Sequence, residues 1–403
     1  MRFRQLWLVV FVFVLMASSV HASPPPDAVT ELVAGNNAFA FDLYQALRSE
    51  EGNRFFSPYS ISAALAMTYG GARGDTESAM AGTLHFTLGQ EGLHPAFSEL
   101  RASMPNTDGE LDFRLNIANR LWGQSGYGFL PDYLALLDAN YSAGLQELDF
   151  AADPEDARLT INDWIAGETE QRITELLPPG IITGATRLVL TNAIYFQAAW
   201  LSPFPENRIS DEAFTRLDGS TVMTPFMRDS AIFGYLAGDG YQVVQLFYEG
   251  EQARMLIIVP DAGTFEAFER ELDPALLDTI LAEIAPRDMF LTMPLWESTS
   301  EFDLAAALAG MGMAVAFGPG ASFSGMTGSS GLFISSVIHQ ATVTVDHKGT
   351  EAAAATAVIM GLGGGPGAED PVRLTLDRPF IYLIMDTGTN SVLFMGRVLD
   401  PAQ

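Results

Sequence analysis

The pattern of apolar and polar residues predicts both strands and helices along this chain. Alternating apolar and polar positions predict a strand that ends at Trp122. The nearly unbroken apolar run from Arg187 to Trp200 is typical of a strand that is buried on both faces. A polar residue inside that run, Asn192, must then find hydrogen-bond partners in the core. The long apolar run over residues 332–346 predicts another strand, and apolar positions on one face predict a first helix over residues 36–49.

The remaining elements follow the same rules. Ser57 and Pro58 predict a helix start, since serine accepts a hydrogen bond at the N-cap and proline fits the first turn. This helix is expected to end at Tyr69, and the next to begin at Asp75. Further helices are predicted over 131–140, 154–169, 264–285 with an interruption near Pro274, and 302–311. Further strands are predicted over 241–248, 254–260, 290–294, 372–376, 380–386 and 392–398.

One segment, from Val343 to Pro379, fits neither pattern throughout. It begins as a strand, continues after Gly349 with a run of alanine and threonine, and then contains a glycine cluster. The alanine run alone favours a short helix, because alanine is the best helix former. Such a helix would have no large side chain to anchor it. In strand geometry the run has one small, uncharged face and can enter a sheet at little steric cost; that face comprises Thr350, Ala352, Ala354, Thr356 and Val358.

Composition limits the classes of partner. The chain has 403 residues, of which 48% are hydrophobic and 17% charged, as in a globular protein with a large core. Length alone favours two or three domains, unless one large mixed domain takes up the chain. The formal net charge of −28 argues against nucleic acid, anionic membranes and heparin-type ligands as partners. Lys348 is the one lysine in the sequence.

The N terminus has the pattern of a secretory signal. Arg2 and Arg4 precede an apolar run from Leu6 to Met16, and small residues lead to an expected cleavage after Ala22. The predicted organisation is a signal peptide over residues 1–22, a linker over 23–35 and one folded unit over 36–403. Export to the extracellular medium or the periplasm is therefore expected. The chain has no cysteine, so its stability must come from core packing without disulfides.

Few residues indicate catalysis. The spacing of histidine, aspartate and glutamate suggests no metal site, and no phosphate-binding or dinucleotide motif is present, so no cofactor is expected. His85 and His94 are predicted to lie at the surface. Ser322 and Ser324 lie among glycines without the nucleophile spacing of a hydrolase. A secreted hydrolase remains the weaker alternative, since triads are recognised by geometry rather than by spacing.

Several spaced motifs together resemble the serpin family over essentially the whole mature chain. The run from Lys348 to Ala355 resembles the hinge of the reactive-centre loop of inhibitory serpins. The N-terminal matches are Asn53, Ser57, Pro58, Ser60, Ile61, Ala64, Leu65, Gly70, Gly74 and Thr76. The other matches are the run from Asn192 to Phe196, Trp200, Pro203, Phe204, and the C-terminal run from Phe394 to Val398 with Asp400 and Pro401.

The resemblance implies a fold and a mechanism. The fold is mixed α/β, with a large central mixed sheet, smaller sheets, a cap of helices and an exposed reactive-centre loop over about residues 347–371. The implied activity is suicide inhibition of a serine protease: the enzyme cleaves the loop, the loop inserts as a strand, and a covalent one-to-one complex results. The protein is then a metastable monomer and not an enzyme. A non-inhibitory serpin with a binding or storage role is the first alternative.

The resemblance also implies site residues. The hinge comprises His347, Lys348, Gly349, Thr350, Glu351, Ala352, Ala353, Ala354 and Ala355. Family spacing puts the reactive bond at Gly363–Gly364, with Leu362 and Met360 as alternates on its acyl side. A polar cluster called the shutter, where the strands part, comprises Ser57, Ser60, Asn192 and His339. Trp200 matches the tryptophan at the top of the opening, the breach.

Two departures from the family pattern affect the prediction. His347 stands where the family usually has an acidic residue. Gly363 offers a protease pocket no side chain, and the loop after it is longer than is typical. A shallow-pocket enzyme, elastase-like or subtilisin-like, is therefore expected, or a chymotrypsin-like one if Leu362 or Met360 is recognised. From Gly349 to Ala355 the hinge has no bulky or charged residue except Glu351, which is expected to point outward, and this favours an inhibitor over a non-inhibitory serpin.

Overall fold

The computed structural model describes residues 26–104, 113–141, 144–350 and 370–403. Its α-helices are α1 (Pro26–Leu47), α2 (Pro58–Tyr69), α3 (Asp75–Leu84), α4 (Gly89–Ser103), α5 (Pro131–Tyr141), α6 (Pro154–Glu168), α7 (Phe265–Glu271), α8 (Pro274–Glu283), α9 (Ala305–Leu308) and α10 (Ser324–Thr327). The first eight strands are β1 (Arg54–Phe56), β2 (Phe113–Gln124), β3 (Leu145–Leu148), β4 (Leu188–Ala199), β5 (Ser210–Thr215), β6 (Thr221–Ala237), β7 (Tyr241–Phe247) and β8 (Ala253–Pro260). The last seven are β9 (Ala285–Pro294), β10 (Trp296–Asp303), β11 (Ser336–Val345), β12 (Gly349–Thr350), β13 (Val372–Thr375), β14 (Phe380–Asp386) and β15 (Val392–Val398).

Two sheets organise the molecule. One has six strands in the order β10-β11-β12-β4-β2-β3. The other has nine, in the order β1-β15-β14-β8-β7-β6-β9-β13 with β5 paired to β6. The apolar run that predicted a doubly buried strand is β4, and it lies inside the six-stranded sheet with one half-buried residue among eleven buried ones. The serpin-like arrangement of a large mixed sheet, a second sheet and helices is confirmed.

Helix α2 lies between the two sheets. Ser57 caps it through a hydrogen bond from the Ser60 backbone N–H to its Oγ (3.1 Å), and Pro58 occupies the first turn, as predicted. Every residue of the helix is buried, and it contacts β2 and β4 on one side and β15 on the other. On the opposite face of the six-stranded sheet, α6 packs a separate apolar cluster against β2 and β4. Strands β2 and β4 are therefore covered on both faces.

The first helix is longer than the sequence indicated. Residues 26–35 belong to α1, so the predicted linker over 23–35 is wrong from Pro26 onward. The apolar residues Ala28, Leu32 and Val33 extend the buried face of this helix. At Gly35 within this helix, the His85 carbonyl approaches so closely that a Cβ would lie 2.5 Å from its oxygen. The predicted signal peptide lies outside the described residues.

Several other predicted boundaries change. The helix predicted over 302–311 begins later, because residues 302 and 303 belong to β10, where alternate residues are buried. Helix α4 and strands β3, β5, β6 and β10 lack a prediction. Strand β6, for example, contains Pro225, whereas α4 has an apolar face at Leu93, Phe97 and Leu100 that sequence analysis missed. Among the residues that the structure describes, no helix has both the length and the apolar character needed to cross a membrane.

Candidate hinge and sheet-opening site

Strands β11 and β4 pair directly along some of their length and separate at one end. Their parallel ladder joins Ser336–Thr342 to Val189–Tyr195, and this ladder is called the seam below. Beyond it, β12 lies between the two strands: Thr350 pairs with Val345 of β11 and with Ala198 of β4. Gly349 and Thr350 of the predicted hinge thus already lie inside the six-stranded sheet, where Thr350 is paired with both neighbouring strands.

The two residues of β12 fit this position closely. The Thr350 side chain is fully buried, and its hydroxyl is hydrogen-bonded to the Tyr248 hydroxyl at 2.8 Å. Gly349 admits no side chain, since a Cβ there would lie 2.2 Å from the Ala198 carbonyl oxygen and 2.7 Å from the Ala199 Cα. Gly349 is therefore required for close backbone approach in the intact protein, beyond any conformational freedom it gives to the hinge.

A tight turn joins β11 to β12. The Asp346 carboxylate accepts hydrogen bonds from the backbone N–H groups of Lys348 (2.7 Å) and Gly349 (3.1 Å). The Asp346 N–H donates to the Gly349 carbonyl at 2.9 Å, which closes the turn. The carbonyl of His347 accepts from the Phe204 N–H at 2.7 Å. The contacts that hold this turn are made by the Asp346 carboxylate and by backbone atoms. The histidine at position 347, where the family usually has an acidic residue, therefore leaves the turn intact.

Trp200, the predicted breach residue, contacts the hinge directly. Its backbone N–H donates to the Lys348 carbonyl (2.8 Å), and its Nε1 donates to the Asp346 carbonyl (2.9 Å). The indole is stacked on Tyr248, with centroids 4.6 Å apart and an interplanar angle of 11°. Burial raises the pKa of Tyr248, so its hydroxyl stays protonated beside Thr350. Tyr248 is a site residue that sequence analysis missed, although its place at the end of a predicted strand was visible.

A row of three polar side chains crosses the other part of the sheet. Register aligns Asn119 of β2 with Asn192 of β4, and Asn192 with His339 of β11; these three residues are called the polar row. His339 Nδ1 is hydrogen-bonded to Asn192 Oδ1, and Asn192 Nδ2 donates to Asn119 Oδ1. The polar row therefore joins three strands across the seam.

Two serines, the α2 N-cap Ser57 and Ser60 within the helix, complete this cluster. The Ser57 N–H donates to His339 Nε2 at 3.2 Å, and Asn192 Nδ2 donates to Ser60 Oγ at 2.6 Å. Because a backbone N–H can only donate, Nε2 accepts, and the proton of the neutral imidazole lies on Nδ1. Burial lowers the pKa of His339 to about 3, so the ring is neutral near pH 7. The structure thus brings together all four residues predicted for the shutter.

The sequence also carried a signal for the missed member of the polar row. Leu115, Ile117, Asn119 and Leu121 occupy alternate positions of β2 and so share one face. Asn119 interrupts that apolar face as Asn192 interrupts β4. Asn119 Nδ2 donates to the Ser60 carbonyl at 3.1 Å, so this polar side chain is satisfied by α2.

Other predictions have different outcomes. His94 is not at the surface: it is 2% exposed in α4, and its Nδ1 lies 2.6 Å from the Tyr141 hydroxyl. Burial lowers the pKa of His94 to about 4. His85 is partly exposed at the end of α3, where it contacts Asp42 at 2.7 Å. Hinge residues 351–355 and the candidate reactive bonds lie outside the described residues; these bonds involve Met360, Leu362, Gly363 and Gly364.

Comparison with known proteins agrees with this architecture. The sequence model described as serpin (serine protease inhibitor) matches residues 34–401. The leukocyte elastase inhibitor of Sus scrofa is 37% identical over 382 residues, which cover 92% of this chain and 100% of that protein. The structure of Serpin48 from the insect Tenebrio molitor has a TM-score of 0.82 and 27% identity, covering 92% of this chain and 98% of that one. Thyroxine-binding globulin in complex with thyroxine has a TM-score of 0.81 and 28% identity, covering 92% and 99%. The chain therefore belongs to the serpin family of serine protease inhibitors and is not an enzyme.

Proposed function

We propose that this protein traps a serine protease as a suicide substrate. The enzyme cleaves the loop that follows Thr350, and the loop then enters the seam as a strand while the acyl-enzyme bond persists. A covalent one-to-one complex with a monomeric inhibitor results. The observation that carries the proposal is the position of Gly349 and Thr350, which already lie between β11 and β4 at the open end of the seam.

The register of the sheet supports continued insertion. If β12 is extended antiparallel to both neighbours, residue 353 faces Thr342 and Tyr195, which already face each other across the seam. Residue 359 in the same way faces Ser336 and Val189 at the far end of the seam. A strand can therefore enter without shifting either neighbour along its axis. Insertion exchanges one parallel ladder for two antiparallel ladders, which are slightly more stable per residue.

The inserted residues also suit the two faces of the sheet. Ile194 and Phe196 of β4 belong to the core between the sheets, and Val189 and Ala193 belong to the cluster under α6. Register puts the small face of the loop, from Thr350 to Val358, toward the core between the sheets. Thr356 then faces His339 and Asn192 of the polar row. A hydroxyl would therefore arrive where polar partners already lie.

The loop sequence suggests the class of target. The proposed bond is Gly363–Gly364, which suits an elastase-like or subtilisin-like enzyme with a shallow primary pocket; Leu362 or Met360 would suit a chymotrypsin-like enzyme. From Thr350 to Gly363 an extended chain spans roughly 45 Å, about the length of a domain. Full insertion would thus carry the tethered enzyme from one end of the sheet to the other and distort its active site.

We also propose that the protein acts outside the cytoplasm. The support is the charged, apolar and small-residue pattern that ends at Ala22. N-terminal sequencing of the exported protein should begin at Ser23. Retention of the intact N terminus in the cell would contradict this part of the proposal.

A binding role without inhibition is the second candidate. It is favoured by the structural similarity to thyroxine-binding globulin, a family member in complex with a small molecule. The hinge argues against it as the main function, since Gly349 and Thr350 lie where a continuing strand of small residues can enter. The two candidates differ in whether a protease is consumed.

The deciding experiment incubates the exported protein with elastase-like, subtilisin-like, chymotrypsin-like and trypsin-like proteases. A complex that survives boiling in detergent is expected with at least one of the first three. Mass spectrometry of the released C-terminal peptide should locate the bond between Met360 and Gly364, and cleavage after Arg373 would contradict the assignment. A protease whose nucleophilic serine is replaced by alanine is the control and should form no such complex.

Gly349→Val is the matched variant of the inhibitor. Its side chain would collide with the Ala198 carbonyl, so the hinge cannot enter the sheet. The loop beyond it keeps its sequence and should still be cut. Cleavage without a stable complex supports insertion from Gly349. A normal yield of complex from this variant would refute the proposed role of β12.

A further inference from the structure

A cleft of about 260 Å³ lies where the end of β4 meets strands β6 and β7 and the start of β9. Its apolar lining includes Leu201, Ile232, Phe247 and Ile284. Leu201 is 47% exposed and Ile232 is 52% exposed, although both are large apolar side chains. An apolar ligand would cover surface that now faces water, which is the usual source of affinity in small-molecule sites.

One polar group of the cleft has no partner. Gln245 lines the cleft and is 7% exposed, and its buried Oε1 receives no hydrogen bond from any residue that the structure describes. Its strand partner is Gly234, where a Cβ would lie 2.9 Å from the Gln245 Cβ. The side chain thus lies against a glycine that leaves it room. Since buried polar atoms are nearly always paired, this oxygen indicates a missing hydrogen-bond donor.

Charge restricts the class of ligand further. None of the described residues that line the cleft is charged. The whole chain carries a formal net charge of −28, so its field disfavours the approach of anions. A carboxylate or phosphate would find neither a cation in the cleft nor a favourable field around it. A neutral molecule meets neither obstacle.

We propose that this cleft binds a small neutral molecule with an apolar ring-sized body and one N–H or O–H group, which donates to Gln245 Oε1 once the side-chain amide turns from its buried position toward the cleft. The apolar walls would bury the body, and the single acceptor would fix its orientation. Trp200 also lines the cleft, and its Nε1 bonds the hinge at Asp346, so a ligand there would lie against the residue that holds the turn. The binding itself does not depend on protease inhibition.

Indole and benzothiophene form a matched pair of probes, because they share a shape but only indole has an N–H donor. Calorimetric titration of the exported protein should show indole binding about five- to tenfold more tightly than benzothiophene, the ratio expected from one hydrogen bond. Indole-3-carboxylate should bind more weakly than indole. Gln245→Met keeps the size of the side chain without the acceptor, and should make indole and benzothiophene equal.

A second pair of variants tests the apolar wall. Ile232→Asp should weaken both neutral probes by at least about tenfold. Met223→Asp changes another exposed residue of β6, 62% exposed and outside the cleft lining, and should leave both affinities unchanged. Three results would each overturn the proposal: no binding of indole, equal affinities in the unmodified protein, or a preference for indole that survives Gln245→Met.

Discussion

Replacing Thr350 by arginine puts a charge on the first side chain that enters the sheet. The threonine side chain is fully buried and its hydroxyl bonds Tyr248 at 2.8 Å. The nearby carboxylate of Asp346 already accepts the N–H groups of Lys348 and Gly349. An arginine at this position therefore finds no ready counter-charge in the turn. The intact protein can relieve the strain by leaving β12 outside the sheet, but insertion cannot proceed without passing residue 350.

The size of the effect follows from the burial of Thr350. An unpaired charge buried in a protein costs several kcal/mol after relaxation. If only about 3 kcal/mol of this appears in the barrier to insertion, the insertion rate falls roughly 100-fold. Cleavage is unaffected, because the loop near Gly363 keeps its sequence. Hydrolysis of the acyl-enzyme then occurs before insertion, and the inhibitor becomes a substrate.

The assay is the number of inhibitor molecules consumed per protease inactivated, together with the yield of detergent-stable complex. For Thr350→Arg we expect normal cleavage, full recovery of protease activity and almost no complex. Thr350→Val is the matched control, because it removes the hydroxyl but keeps the volume of the side chain. The lost hydrogen bond costs about 1 kcal/mol, so most of the complex should still form. One-to-one trapping by Thr350→Arg would refute the assignment of this residue to the hinge.

Three further predictions test stability. Cleavage within residues 356–365 should raise the melting temperature by more than about 10 °C, because roughly ten residues gain strand pairing; an unchanged melting temperature would exclude insertion. Burial lowers the pKa of His339 from 6.5 to about 3, so between these two values the unfolded state binds a proton that the folded state does not. The free energy of unfolding should therefore be highest above pH 6.5 and should fall by about 1.4 kcal/mol per pH unit as the pH drops toward 3. Urea denaturation should show a shallower pH slope for His339→Gln, and identical slopes would count against the burial argument. Glu269→Gln removes the counter-charge of the buried Arg397, which lies 2.7 Å away, and should lower the free energy of unfolding by about 3 kcal/mol. The surface control Glu212→Gln should lower it by less than about 1 kcal/mol. Thermal melts showing equal losses would contradict this.

Local chemistry made part of this structure predictable. Ser57 and Pro58 determine a helix start from adjacent residues alone, and the helix forms as predicted. Asn192 and His339 were recognisable because a polar side chain inside an apolar strand must find partners. The sequence did not show that the two residues lie opposite each other, since 147 positions separate them. That fact depends on the parallel register of β4 and β11.

The features that escaped prediction depend on distant contacts. Tyr248 meets Thr350 across 102 positions, and nothing near Tyr248 in the sequence indicates a hydroxyl partner. The sequence predicts His94 at the surface, but this residue lies within α4, and α5 brings Tyr141 against it. In each case a residue from another element changes the meaning of a local pattern.

In the proposed insertion, the polar row would let the seam open without leaving buried polar groups unpaired. Insertion must separate His339 Nδ1 from Asn192 Oδ1, and each atom then needs a new partner. Thr356 arrives between them in the proposed register. A hydroxyl has one donor and two acceptor positions, so it can accept from Nδ1–H and donate to Oδ1. Asn192 Nδ2 keeps its bond to Ser60, and His339 Nε2 keeps the Ser57 N–H. This exchange requires a neutral imidazole with its proton on Nδ1, which is the form that burial of His339 and the Ser57 contact favour. A valine in place of Thr356 would fill the same space but would leave both atoms unpaired, so the polar row selects a hydroxyl at that position of the loop.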